Sequence, residues 1–229
     1  MKERLWGIFS EESFLGRITS RIFILFGANL MFVIFSIPVV TLVPAWVAMY
    51  HVCLKTLRQD SQLNPFVEFW KGFRANFKQA FLSGLAILGI LAVLIADILF
   101  VAKADGFITN FRWPVYLLTG FVLLILFHLF PVMAAFADSL KGLLRNSIFF
   151  AAKNPLRAVL ILAINVLPLV WTYKDVTRMP LYAFIWASIG FAGIAMIESH
   201  LLLRDFSKYL PEIPSAEELD GKHEEDIRK

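Results

Sequence analysis

The chain has 229 residues, 59% of them hydrophobic and only 17% charged, against about 45–50% and about 25% in a soluble domain. The surplus is gathered in runs, as membrane spans require, and 23 phenylalanines add bulk without polarity; a soluble globular domain is excluded. The formal net charge of +4 does not point to nucleic acid, because the Lys and Arg residues flank apolar runs, which is how membrane proteins fix their orientation.

Residues 1–21 mix Lys2, Glu3, Arg4, Glu11, Glu12, Arg17 and Arg21 with Leu5, Trp6, Phe9, Phe14 and Ile18. That pattern fits an interfacial segment or a frayed terminus. Residues 22–54 carry no charge. As one helix they would be about 50 Å long, against a hydrocarbon core of about 30 Å. The run is too long for a signal-peptide core and has no small-residue cleavage site, so it is expected to stay in place. Pro38 and Pro44 set the break, since proline removes a backbone donor and disfavours helix at the preceding residue. A span over about 22–40 follows, then a second helix from near Pro44 to Arg58, with Thr41 as its candidate cap.

Asn64-Pro65 is a helix start, a capping residue followed by proline. Over 64–81, Phe66, Phe69, Trp70, Phe73, Phe77 and Phe81 fall on one stripe, and Lys71, Arg74 and Lys78 on the other side. The spacing predicts an amphipathic cytoplasmic helix whose aromatic stripe meets lipid or a protein partner. It leads straight into a span at 80–101, interrupted only by Asp97. Further spans are expected at 113–137, with Pro131 near its inner end, at 156–171 and at 180–203. Residues 205–229 are charged and contain Pro211 and Pro214, the composition of a disordered tail. The fold class is all-α: a polytopic membrane bundle (22–204) of about five transmembrane helices plus amphipathic surface helices.

Cations set the orientation. Lys55, Arg58, Lys71, Arg74 and Lys78, then Lys141, Arg145, Lys153 and Arg157, then Arg204 and Lys208 fall on one side, against Lys103, Arg112, Lys174 and Arg178 on the other. The richer side is expected to be cytoplasmic, which puts the N-terminus outside for five spans. Lys2, Arg4, Arg17 and Arg21 fit better if 22–54 crosses twice. A weak internal match pairs Pro44 to Arg58 with Pro131 to Arg145, and Asn76 to Ala80 with Asn154 to Ala158; duplication and a shared need for turns and cations both account for it.

These strings resemble a known family. SIPVVTLVPA (36–45), Leu54-Lys55 and NPFVEFWKGFRANFKQ (64–79) are similar to the YesL family of bacterial membrane proteins, and Phe130-Pro131 with Ala134 and Asn154 fits its second half. The resemblance covers roughly residues 5–210 by organisation, and 36–79 is its specific part. It implies a multi-pass protein of the bacterial plasma membrane, encoded beside carbohydrate uptake transporters and their sensor kinases. It offers no catalytic residue to carry over.

No catalytic, cofactor or metal signature is present: no HExxH, GxSxG, phosphate-binding glycine loop or CxxC, one cysteine (Cys53), and histidines at 51, 128, 200 and 223 without a ligand spacing. An enzyme is not expected, nor a cofactor. The better lead is the polar residues within spans, because such groups need protein or water as partner. They are Asn29, Asp97 and Asn165, expected in the outer half, and His128, Glu198 and His200, nearer the cytoplasmic side. Two such clusters would line a cavity; otherwise the asparagines make interhelical bonds and the ionisable groups reach the interface. An accessory or regulatory protein for carbohydrate uptake, contacting an ABC transporter or sensor kinase, is the leading expectation. A small transporter or channel is the alternative.

Overall fold

The computed structural model describes residues 14–58 and 63–210, and among these every regular element is helical. In chain order they are α1 (Phe14–Phe35), α2 (Leu42–Arg58), α3 (Pro65–Lys103), α4 (Arg112–Ala135), α5 (Leu140–Lys153), α6 (Pro155–Lys174), α7 (Met179–Ile185) and α8 (Phe191–Phe206), with a π-helical turn at Trp186–Gly190 joining the last two. Six segments are long and apolar enough to cross a membrane: Gly16–Phe35, Val39–Arg58, Pro65–Lys103, Gly106–Ala135, Pro155–Lys174 and Val176–Phe206. Five correspond to the expected spans; Val39–Arg58 is the sixth.

The break in the first uncharged run falls where the prolines demand it. α1 stops at Phe35, a short 3-10 turn covers Val39–Thr41, and α2 begins at Leu42. Thr41 does not cap α2. Its hydroxyl donates to the carbonyls of Phe35 (2.6 Å) and Pro38 (2.7 Å), tying off the end of α1 instead.

α2 is the axis of the bundle, packed against α1, α3, α4 and α8. Eleven of its 17 residues are buried and none is fully exposed, with the polar side chains of His51, Lys55 and Arg58 half-buried at its end. Small residues at Ala45 and Ala48 let its neighbours approach closely. At Gly72 a Cβ would lie 2.8 Å from the His51 side chain, and at Gly27 one would lie 2.6 Å from the Pro65 ring. Glycine there permits the contacts of α3 with α2 and α1.

α3 is one unbroken helix of 39 residues, roughly 58 Å long. Asn64 caps it, its side-chain oxygen accepting from the amides of Phe66 (3.1 Å) and Val67 (3.3 Å), and Pro65 occupies the first turn. Its buried positions, Glu68, Phe69, Gly72, Phe73, Ala80, Ser83, Gly84 and Ile87, recur at helical spacing through residue 80. One seam therefore serves both the expected surface helix and the expected span.

Two other expectations change. The segments matched as an internal repeat fall in unlike elements: Pro44 lies in the first turn of α2, whereas Pro131 lies inside α4; Asn76 is within α3, whereas Asn154 precedes α6. The matched positions are therefore not structurally equivalent. The polar tail was expected from 205, yet Asp205 and Phe206 are buried in α8. The Asp205 carboxylate accepts from Asn154 (3.0 Å) and pairs with Arg157 and Lys153, which fixes the end of α8 to the α5–α6 junction. The expected interfacial segment up to residue 13, and the tail beyond 210, lie outside the described residues.

Candidate functional site

Glu198 is fully buried in α8. One carboxylate oxygen accepts from the Tyr50 hydroxyl of α2 and the other from the Asn165 amide of α6. Asn165 also donates to the carbonyl of Ile161, one turn earlier, at 3.0 Å. Three helices thus meet on one carboxyl group. A polar group this far from water needs such partners, since each unsatisfied one costs about 1–3 kcal/mol. Close by in sequence, the Trp46 indole nitrogen (one turn before Tyr50) and the Ser199 hydroxyl are buried and make no hydrogen bond among the described residues.

Of the six intramembrane polar residues singled out from the sequence, only Asn165 and Glu198 come together. Asn29 serves a different purpose. Its amide donates to the carbonyls of Trp186 (2.9 Å) and Ala187 (2.8 Å), and its oxygen accepts from the amide of Ala192 (3.0 Å). It thereby satisfies backbone that the π-helical turn takes out of the α-helical pattern, and ties α1 to the last helix. His128 is buried, with its Nδ1 2.8 Å from the carbonyl of Leu124. Asp97 and His200 are exposed on the outside of α3 and α8. Asp97 is therefore not held by Asn29 or Asn165, whose amides are bonded elsewhere. The two expected clusters, Asn29 with Asp97 and Asn165, and His128 with Glu198 and His200, do not assemble. The reason is rotational: depth along a span says nothing about which side of the helix a residue occupies.

Tyr50 was missed. It is the one tyrosine among residues 22–54, and a buried tyrosine must find a partner for its hydroxyl, which was the available signal. Glu68 was missed too. It is buried and accepts from Lys55 (2.7 Å) and Lys71 (2.8 Å), with His51 3.8 Å away.

The aromatic stripe of the first half of α3 divides in two. Phe69 and Phe73 are buried, their rings 5.7 and 4.9 Å from that of Phe35; they belong to the core, so neither lipid nor a partner reaches them. Phe66, Val67, Trp70 and Phe77 are exposed, as are Lys71, Arg74 and Lys78. A mixed aromatic and cationic face remains, suited to an interface with lipid headgroups or with a protein. Among the described residues no three His, Cys, Asp or Glu side chains gather as a metal site.

A family described as "Protein of unknown function, DUF624" matches residues 25–98, from α1 through most of α3. The "Uncharacterized protein YesL" of Bacillus subtilis (strain 168) is 26% identical over 139 residues, 59% of this chain and 65% of the relative, so the match leaves about a third of that protein uncovered. The resemblance read from residues 36–79 is thus met by both comparisons. No solved structure matches the chain.

Proposed function

For this multi-pass membrane protein, similar to YesL, we propose a non-enzymatic accessory or regulatory role in carbohydrate uptake or sensing in the bacterial plasma membrane. The protein docks on a transporter or sensor through the exposed face of the first half of α3. The observation that carries this reading is length. At roughly 58 Å, α3 is nearly twice the hydrocarbon thickness of about 30 Å. Between Ala80 and Ala102 its one charged residue is Asp97, whereas 65–79 contains Glu68, Lys71, Arg74 and Lys78. The charged half is therefore read as lying toward the cation-rich, cytoplasmic side, alongside the second half of α1. There it presents Phe66, Trp70 and Phe77 among three cations. Trp and Tyr are frequent anchors of protein interfaces. The link to carbohydrate is supported by the family resemblance alone.

Affinity purification in mild detergent tests the reading. Subunits of a carbohydrate ABC transporter or a sensor kinase are expected to copurify with the wild type and to be lost with Trp70→Ala, while membrane insertion is retained. Full retention by a Phe66→Ala, Trp70→Ala double variant that inserts normally would overturn docking at this face and leave it to lipid.

A second reading, a small secondary transporter or channel, is favoured by one observation: the carboxyl group of Glu198 at the meeting of three helices. Intramembrane acids of this kind often mark ion or proton paths. Solute flux into vesicles containing only this protein, abolished by Glu198→Gln, would select it over the first.

A further inference from the structure

α5 joins the end of one candidate span, Gly106–Ala135, to the start of the next, Pro155–Lys174. At 14 residues it is roughly 21 Å long, too short to cross about 30 Å of hydrocarbon. Both of its ends are fixed to span ends, so it lies along one membrane surface. Its inner side, Leu143, Ser147, Phe150 and Ala151, is buried. The Phe150 ring packs 5.7 Å from that of Phe136, 4.8 Å from Phe206 and 5.7 Å from Tyr209, which sets the rotation of the helix about its axis. What the outer side presents is thereby set too. Two rows run along it. Leu140, Leu144 and Ile148 are exposed at spacings of four. Lys141 and Arg145, also exposed and four apart, lie beside them, on the side away from the buried residues.

We propose that the outer side of α5 is a contact surface for anionic phospholipid, with Leu140, Leu144 and Ile148 among the first acyl carbons and Lys141 and Arg145 at the headgroup phosphates. Continuity is the first support. The exposed apolar row runs on into α6, where Leu156, Val159 and Leu160 are exposed on a candidate span, a face that hydrocarbon covers in a membrane. Neither the carboxyl site of Glu198 nor the exposed face of α3 takes part.

Charge is the second support. α5 contains no acidic residue. Its last cation, Lys153, lies 3.6 Å from the Asp205 carboxylate and over the Tyr209 ring, so it is already engaged. Lys141 and Arg145 make no ion pair or hydrogen bond among the described residues. Both border a cleft of about 580 Å3 together with Leu144, Ile148 and Asp138. The Asp138 carboxylate accepts from the Ser139 amide at 2.6 Å; two cations against this one acid leave the cleft a net charge of +1. A polyanion in water would match the cations and leave the aliphatic row wet. A lipid surface matches both rows at once, as for amphipathic helices that lie in the interface.

The test uses the full-length chain in nanodiscs of phosphatidylcholine and phosphatidylglycerol, with Ile148→Cys carrying a thiol-linked fluorophore. Cys53 is buried, and the unsubstituted chain serves as the blank. Quenching by lipids with a nitroxide near the headgroup end of one acyl chain is compared with quenching by aqueous iodide. Nitroxide lipid is expected to quench and iodide to fail. Nitroxide phosphatidylglycerol should reach half-quenching at about one-fifth of the mole fraction that nitroxide phosphatidylcholine needs, the worth of one net charge near anionic headgroups. Salt should shrink that preference. Lys141→Gln, Arg145→Gln should abolish the preference and keep the quenching by lipid; both positions are exposed, so folding is not at stake. Lys103→Gln, Lys174→Gln, which removes as much charge from the opposite membrane side, should leave it unchanged. Quenching by iodide would overturn the proposal, since the face would then be in water. Quenching by neither would mean that protein covers the face, the seven acids among residues 211–229 being one candidate, and would overturn it as well. Equal quenching by the two nitroxide lipids, or an equal loss of preference in the Lys103, Lys174 pair, would overturn the role given to Lys141 and Arg145.

Discussion

Glu198 and Asp97 are both single acids in otherwise apolar helical stretches, and their surroundings are opposite. Glu198 sits at the contact of α2, α6 and α8 with a donor on each carboxylate oxygen. Asp97 points away from the bundle, on a stretch of α3 where Ile90, Val93, Ile95, Leu99 and Phe100 are also exposed. Below residue 88 the seam of α3 is continuous; beyond it only Leu94 and Val101 are buried. Local sequence is alike in the two places. Neighbours differ, and neighbours decide whether a carboxyl group holds helices together or extends from a helix near its end.

This contrast can be broken at several points, with decreasing expected effect. Glu198→Leu should be the most damaging, about 2–5 kcal/mol, because the Tyr50 hydroxyl and one proton of the Asn165 amide, whose other proton stays on the Ile161 carbonyl, would remain buried without an acceptor. A large fall of Tm in detergent is the readout. Tyr50→Phe leaves one carboxylate oxygen without its donor and should cost about 1–3 kcal/mol by the same measurement. Glu198→Gln keeps size and one acceptor, so its stability should fall by less than about 1.5 kcal/mol; a loss as large as that of Glu198→Leu would mean that the ionised form is required. Asp97→Leu should move Tm hardly at all, within about 0.5 kcal/mol, as for a surface change away from any partner. If it destabilises as much as Tyr50→Phe, Asp97 has a protein partner and the contrast fails.

One more variant sharpens the comparison. Replacing all three members of the buried set, Glu198→Leu with Tyr50→Phe and Asn165→Leu, removes donors and acceptor together. Such exchanges of a buried polar network for apolar side chains are often close to neutral. Tm near that of the wild type would show that the set is not needed for folding, and any loss of a cellular function in that variant would then be attributed to its chemistry.

Much of the fold is legible in single stretches of sequence. Asn64-Pro65 starts a helix because one side-chain oxygen and one missing N–H satisfy its first turn. Pro38 separates α1 from α2, and the cation counts mark the ends of the spans. The all-α membrane class follows from apolar runs that only helices or closed barrels can carry across hydrocarbon. The sixth candidate span was harder to read because Val39–Arg58, 20 residues long like two of the others, has a mean hydropathy of only 1.4 against 2.9 for the window in α3. It is the least apolar of the six and also the most enclosed.

What the sequence by itself determined, then, is the helical class, the break at Pro38, the helix start at Asn64-Pro65 and the residence of the chain in a membrane, because each depends on the covalent chain and its solvent over one or two dozen residues. Which side of each helix faces inward was decided by tertiary structure alone. Phe69 and Phe73 went into the core while Trp70, between them, stayed outside. Glu198 found Tyr50, 148 residues away, while Asp97 found no place inside the bundle. Within an apolar run both faces of a helix look the same to hydrocarbon, so no local pattern selects the inner one; that choice belongs to the shapes of the helices it packs against.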